Sequence, residues 1–326
     1  MKLMDYALAF FVKACRRSLV GGVIATGLSA SVLFAQATPE RPPIVGLSHF
    51  AIYAHDFDKS KKFYSEFFGF DEVFPLKNPD GTTFMTFYKI NDHQYIELYP
   101  EKTPNSDRLN HISFETTDIE ALRLYLASKG VKVPSQPKLG RIGNLSFNVT
   151  DPAGHSVEMV QYMPNGMTVQ DYGKHLSPNA ISNHMRHVGI TVSDLEPEYK
   201  FYTEILGFKE TWRGSSTGTV LSWVNLKAPD SDDYVELMLN KPEPEPTKRG
   251  TAHHLCLIVA DVPASVAKLK SSPYMSEYGR DIQVRTGTNR KRQANLFDPD
   301  GTRTELMEPT TIDGKPTPPS TAPPPQ

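Results

Sequence analysis

The sequence predicts an α+β fold made of four strand–helix–strand–strand–strand modules, paired two by two. Three observations carry this. Four times a histidine opens a short apolar run that closes on an aspartate seven residues later: His49 to Asp56, His111 to Asp118, His187 to Asp194 and His254 to Asp261. Each is answered 47 to 51 residues downstream by a glutamate inside another apolar run: Glu97 in YIELY, Glu158 in SVEMV, Glu236 in YVELM and Glu305 in RTELM. The units also alternate. The first and third align without a gap from Asp56 and Asp194 through Phe63-Tyr64 and Phe201-Tyr202 to Gly69-Phe70 and Gly207-Phe208. The second and fourth share the turns Asp151-Pro-Ala-Gly154 and Asp298-Pro-Asp-Gly301, each opening seven residues before its glutamate. Self-similarity of this kind marks one supersecondary unit copied, here as A-B-A-B.

Within each module the elements follow from local chemistry. The histidine runs are short and rich in β-branched and aromatic residues, as strands are. The aspartate that ends each run is placed to N-cap a helix. Phe63, Tyr64 and Phe67 recur at helical spacing and give the first helix one apolar face. Gly69 and Gly207 stand where a left-handed C-cap residue stops a helix. Asn78-Pro-Asp-Gly81 and the two DPxG turns punctuate the later hairpins. Because side chains alternate along a strand, His49, Ala51 and Tyr53 share one face, as do Tyr95, Glu97 and Tyr99. A histidine and a glutamate can therefore point the same way while their neighbours pack elsewhere.

A βαβββ module with histidine on its first strand and glutamate on its last resembles the vicinal oxygen chelate superfamily, the group of glyoxalase I, extradiol dioxygenases and bleomycin resistance proteins. The resemblance covers about residues 45 to 309. It implies that two modules close one cupped mixed sheet, with metal ligands from the first and last strands of both. It implies two such domains, 45–163 and 183–309. The shared chemistry implied is chelation of one divalent metal (Zn, Ni, Co, Mn or Fe) by two oxygens of a small-molecule substrate.

Length and address agree with two domains plus flanks. The 326 residues fit about two domains on the usual prior. Lys13, Arg16 and Arg17 precede the apolar stretch from Leu19 to Phe34, and Ala35-Gln36-Ala37 is an A-x-A cleavage signature. Residues 1–37 are therefore expected to be a secretory signal peptide, with an uncleaved membrane anchor as the alternative. Periplasmic or secreted localisation follows, with no membrane attachment after cleavage; the arginine pair hints at twin-arginine export. Of 35 basic and 37 acidic residues, the leader holds Lys2, Lys13, Arg16, Arg17 and Asp5, which leaves 31 against 36. That balance gives no nucleic-acid surface. Cys15 lies in the leader, so Cys256 is the one cysteine left and no internal disulfide can form. The Pro- and Thr-rich segment 310–326 is expected to be disordered.

Imidazole and carboxylate together suit a borderline divalent metal. The A-B-A-B order pairs His49, Glu97, His111 and Glu158 as one set, and His187, Glu236, His254 and Glu305 as the other. The C-terminal set is expected to hold one metal, the N-terminal set a second, with Glu236 or Glu305 as general base. Inheritance is the rival account, since a duplicated gene can keep residues in a half that no longer works. Cys256 reads as a small core residue, and His184 and His253 as rim residues or proton carriers. Tyr95 and Tyr234 are substrate hydrogen-bonders or aromatic packing. Arg303 binds an anion or neutralises Glu305, and Arg290-Lys-Arg292 is a solvated hairpin. Three functions compete: a glyoxalase-like lyase or isomerase, an extradiol ring-cleaving dioxygenase, and a non-catalytic resistance-type binder. The four-ligand pattern favours the first.

Overall fold

A computed structural model describes residues 39–326. The expected signal peptide and its cleavage site after Ala37 lie outside the described residues.

The first module is β1 (Ile44–Ala54), α1 (Phe57–Lys61), β2 (Asp71–Lys77), β3 (Thr83–Lys89) and β4 (Tyr95–Pro100). The second is β5 (Leu109–Thr116), α2 (Ile119–Ser128), β6 (Lys138–Leu139), β7 (Leu145–Thr150) and β8 (Ser156–Gln161), followed by the one-turn helix α3 (Met167–Gln170). The third is β9 (Met185–Val192), α4 (Leu195–Lys200), β10 (Lys209–Gly214), β11 (Trp223–Lys227) and β12 (Tyr234–Leu239). The fourth is introduced by α5 (Pro246–Ala252). It continues with β13 (His254–Ile258), α6 (Val262–Lys270), α7 (Met275–Tyr278), β14 (Val284–Thr286), β15 (Lys291–Phe297) and β16 (Arg303–Thr311).

The modules pair in sequence. One eight-stranded sheet runs β2-β3-β4-β1-β5-β8-β7-β6, the other β10-β11-β12-β9-β13-β16-β15-β14. In each, the histidine strand lies parallel to the glutamate strand of its own module, and the two histidine strands meet antiparallel. The four ligand-bearing strands are thereby neighbours at the centre of each sheet. The expected α+β fold of four βαβββ modules in two mixed sheets is what the chain adopts.

Local signals act as their chemistry requires. The carboxylates of Asp56, Asp118, Asp194 and Asp261 each accept backbone N–H groups at a helix N-terminus. The first and third helices then widen into π-helical turns over Lys62–Phe67 and Phe201–Ile205. Gly69 ends the first at φ 78°, and a Cβ there would stand 2.4 Å from the Asn179 carbonyl oxygen, where the inter-module linker crosses. That linker is tied down by Lys89. Its fully buried ammonium donates to the Asp171 carboxylate at 2.9 Å and to the carbonyls of Asp171 and Lys174.

Two features depart from expectation. The sheets do not keep separate cores. Phe50, Ile96, Ile112 and Val157 from the first sheet and Val188, Val235, Leu255 and Leu306 from the second belong to one continuous apolar cluster. The motif tyrosines reach across it. Tyr64 donates to Asp298 at 3.0 Å, and Tyr202 faces Asp151 at 3.5 Å, so each helix motif meets the DPxG turn of the other half. The second departure is the tail. Residues 310–326 are not free: Ser320 N–H bonds the Arg213 carbonyl at 2.9 Å and Leu221 N–H bonds the Pro323 carbonyl at 2.7 Å. β10 is a sheet edge, where backbone groups need partners, and the proline-rich segment bonds it at Arg213 at little further entropy cost.

Candidate metal centres

Alternation along the central strands sends one set of side chains to the shared core and the other to the opposite face. In the first sheet Phe50, Ile96, Ile112 and Val157 enter the core. His49, Glu97, His111 and Glu158, on the other parity, converge. His49 Nε2 lies 2.8 Å from His111 Nε2, 2.8 Å from Glu158 Oε2 and 3.2 Å from Glu97 Oε2. His111 Nε2 lies 3.3 and 3.4 Å from the same two carboxylates. Donor atoms around an ion at ordinary Zn–N and Zn–O distances stand about 3.0–3.5 Å apart.

Hydrogen bonds behind the imidazoles decide which ring nitrogen is bare. Ser48 Oγ donates to Ser113 Oγ at 2.9 Å, and Ser113 Oγ donates to Glu158 Oε2 at 3.2 Å. The Ser48 proton is thus committed, so the 2.9 Å contact with His49 Nδ1 is donated by the ring. His111 Nδ1 likewise faces an acceptor, Asn110 Oδ1, at 2.9 Å. Both Nε2 atoms are then bare lone pairs 2.8 Å apart. Such a pair repels unless a cation lies between them, and Glu97 Oε2 is buried with no hydrogen-bond partner of its own. In the metal-free chain a proton takes that place. Against the opposing effect of burial, Glu158 and Glu97 push the His111 pKa up to about 10. Outward-held Nδ1–H groups and inward lone pairs are the arrangement a metal-binding histidine needs, so the residues fit a divalent ion.

The site opens into a cavity of about 330 Å³ with His49, Glu97 and Glu158 in its lining. Phe74, Phe84, Phe87, Tyr95, Tyr99 and Tyr162 form aromatic walls, and Lys138 and Arg141 also line it. Tyr99 donates to Glu97 Oε1 at 3.1 Å.

In the second sheet the predicted ligands also come together, but differently. His187 Nε2 lies 3.0 Å from His254 Nε2 and 3.2 Å from Glu305 Oε2, while Glu236 and Glu305 stand 3.6 and 3.7 Å from His254. Arg303 Nη2 is 2.6 Å from His254 Nδ1. A guanidinium can only donate, so His254 Nδ1 accepts there, and a neutral ring carries its proton on Nε2, toward the centre. The Ala252 carbonyl, at 3.2 Å, is the more distant claimant on that nitrogen. Burial and Arg303 together push the His254 pKa down to about 3. His187 Nδ1 is buried without a partner. Burial raises the Glu236 carboxyl pKa. Glu305 is drawn well below the usual carboxylate range, where His187 and His254 outweigh its burial.

Four substitutions between equivalent positions account for the contrast. Ser48 and Ser113 are replaced by Arg186 and Cys256, which removes the chain behind the first histidine. Ser156 is replaced by Arg303. Ala51, opposite His111, is replaced by Gly189, opposite His254. A Cβ at Gly189 would meet the His254 ring at 2.0 Å, so the missing methyl lets the ring lean onto β9. Arg303 forms no ion pair with Glu305 among the described residues; its Nη2 holds His254. Cys256 is fully buried, as a core residue, and its sulfur also faces His187 and Glu305. His184 is a rim residue bound to Asp233 at 2.8 Å, whereas His253 is buried.

A family model described as Glyoxalase/Bleomycin resistance protein/Dioxygenase superfamily matches residues 46–159 and 184–306. The chain belongs to this superfamily. Glyoxalase I of Saccharomyces cerevisiae is 26% identical over 275 residues, covering 77% of each chain. Lactoylglutathione lyase of Schizosaccharomyces pombe is 26% identical over 310 residues, covering 80% of this chain and 96% of that one. Among solved structures, the Mn(II)-bound glyoxalase from Novosphingobium aromaticivorans is similar with a TM-score of 0.63 at 17% identity, covering 87% of this chain and 89% of that chain. A 2,3-dioxygenase from a Pseudomonas species matches with a TM-score of 0.62 at 18% identity, covering 85% and 97%. The similar proteins thus include lyases, and the fold neighbours include a dioxygenase.

The sequence reading placed the general base at Glu236 or Glu305. The surroundings of these residues do not favour it, because Arg303 occupies the space beside His254 and fixes the wrong tautomer for metal binding. Ser48, Asn110 and Ser113 were missed. The signal lay in the repeat itself: comparing the residues beside each histidine shows polar partners in one half and arginine and cysteine in the other.

Proposed function

We propose that this chain is an exported, metal-dependent enzyme of the superfamily, a glyoxalase-like lyase or isomerase whose working centre is the N-terminal set. The observation that carries this is the two Nε2 atoms turned toward each other 2.8 Å apart between two carboxylates, each imidazole held from behind at Nδ1 by an acceptor. His49, Glu97, His111 and Glu158 would hold a divalent ion, which when bound supplies a Lewis acid that polarises two oxygens of a small substrate.

The protein side of the chemistry divides between the two glutamates. Glu97 has one oxygen in the ligand cluster and the other held by Tyr99. Glu158 has Oε2 in the cluster and accepting from Ser113, and the hydrogen bonds of the described residues leave its Oε1 free. Glu158 is therefore assigned as the base that takes a proton from the substrate carbon beside a carbonyl and returns it elsewhere. The aromatic walls exclude water from that transfer and hold the apolar part of the substrate. Lys138 and Arg141 attract an anionic end, although Arg141 is partly engaged: it lies 4.5 Å over the Phe84 ring and donates to the Lys77 carbonyl.

The second reading is an extradiol dioxygenase, favoured by the aromatic cavity and by the fold neighbours. It needs a site of two histidines and one carboxylate, and this set offers two carboxylates. The test is purified mature protein, assayed for metal per chain, for oxygen uptake with catechols, and for isomerisation of α-hydroxy-carbonyl compounds. Isomerisation without oxygen uptake supports the first reading. Iron with oxygen uptake overturns it in favour of the second, and a chain that binds no metal at all favours a non-catalytic binder. Export is tested separately: mass spectrometry of the periplasmic fraction should find Thr38 as the first residue, and an intact leader in the membrane fraction would refute cleavage.

A further inference from the structure

The joint between the halves carries a third group of ligating side chains, away from both central sets. Asp151 opens the turn between β7 and β8, and His155 closes it. His155 Nδ1 lies 2.9 Å from Asp151 Oδ2. Glu198, on α4 of the other half, reaches into the same turn and accepts from Ala153 N–H. One ligand atom from each of Asp151, His155 and Glu198 lies within 4.8 Å of the others. His253, also from the C-terminal half, meets the His155 ring edge-on at 5.3 Å between centroids.

Two observations separate this group from ordinary turn chemistry. Glu198 is 1% exposed and its Oε2 is buried with no hydrogen-bond partner; the same holds for His253, 1% exposed, at Nε2, whose nearest carboxylate oxygen, on Asp107, is 3.4 Å away. A buried carboxylate oxygen with no partner is costly to keep. The pseudo-symmetric joint shows that the fold does not need these residues. There Asp298 accepts from Thr302 N–H at 2.8 Å and from Tyr64, with Thr302 in the place of His155 and Ser60 in the place of Glu198. Ser60 Oγ turns back to its own helix, onto the Asp56 carbonyl. The same turn closes, and the same tyrosine docks, with no imidazole in the place of His155 and no carboxylate in the place of Glu198.

We propose that Asp151, His155 and Glu198 form a cation site at the joint between the two halves, taking a borderline divalent ion such as zinc. Two carboxylates and an imidazole suit that ion, and it would satisfy the orphaned Glu198 oxygen. Because the ligands come from both halves, binding would clamp them together and stabilise the native state by mass action.

The test uses the full mature chain, zinc as the probe, and two readouts: zinc per chain after equilibrium dialysis, and the zinc-induced rise in Tm. Glu198→Gln keeps the shape and the contact with Ala153 while removing the ligand charge. It should bind one zinc fewer than the parent and show a smaller rise in Tm, with catalytic activity unchanged. His155→Ala should lose the same equivalent, and if that variant fails to fold, Glu198→Gln still decides. An equal zinc count and an equal rise in Tm for Glu198→Gln and parent would overturn the proposal. His49→Ala reports on the N-terminal set alone, so failure there and failure at the joint are read separately.

Discussion

The two halves of this chain carry the same four ligands on the same four central strands, yet they hold them in different protonation logic. In the N-terminal half, Ser48 and Asn110 behind the histidines accept Nδ1–H protons and turn lone pairs inward. In the C-terminal half, Arg303 donates to His254 from behind, and His187 has no partner behind it, at Nδ1. The first arrangement turns its Nε2 atoms toward a shared cation position; the second puts the His254 proton there instead. The comparison teaches that a ligand set is defined by its backing as much as by its ligands. Duplication copied the ligands, and four nearby substitutions decide which copy is ready for metal.

The sharpest way to break the comparison is to remove ligands in each half. His111→Ala and Glu158→Gln should each lose about one metal per chain. Glu158→Gln should also lower turnover by roughly 10²–10⁴-fold, the usual worth of a general base. His254→Ala and Glu305→Gln should leave turnover near the parent's. Equal losses from both halves in metal analysis and kinetics would show that both centres work.

Next in size is the backing itself. Ser113→Ala interrupts the chain from His49 to Glu158 and should weaken metal binding by roughly 10–100-fold. Cys256→Ala, at the equivalent place, should leave binding by the N-terminal set unchanged. A competition titration with a chromophoric chelator measures both.

A gain of function sharpens the contrast further. Arg303→Ser installs the residue of the N-terminal half and frees His254 Nδ1 to donate to the Ala252 carbonyl. The variant should bind one more divalent ion per chain than the parent. An unchanged metal count would mean that Arg303 is not what keeps the second set closed.

The smallest expected effect lies at the Asp298 joint. Burial, with Asp300 beside it, raises the Asp298 pKa to about 7 from an ordinary 3.8. Between those values the native state binds more protons than the unfolded state, so stability falls as pH rises. The contribution is complete below about pH 4 and is lost as pH passes through 7. Asp298→Asn, which cannot ionise, should flatten the decline in Tm between pH 5 and pH 8. A decline as steep as the parent's would place its origin elsewhere.

Much of this protein was determined by its sequence alone. Strict alternation along the histidine and glutamate strands fixed which side chains enter the core and which converge, because a strand has only two faces. The capping aspartates and the glycines after the first and third helices set module boundaries for equally local reasons. The A-B-A-B order paired the ligands correctly within each half. What only the tertiary structure decided depends on contacts between distant segments. Tyr64 and Asp298 are 234 residues apart, and nothing in either motif says that one docks on the other. The proline-rich tail reads as disordered until the edge of β10 offers it backbone partners. The direction of each imidazole proton follows from whether serine, asparagine or arginine stands behind it in space. A hydrogen-bond donor's partner is set by three-dimensional neighbours, and composition and spacing do not carry that information.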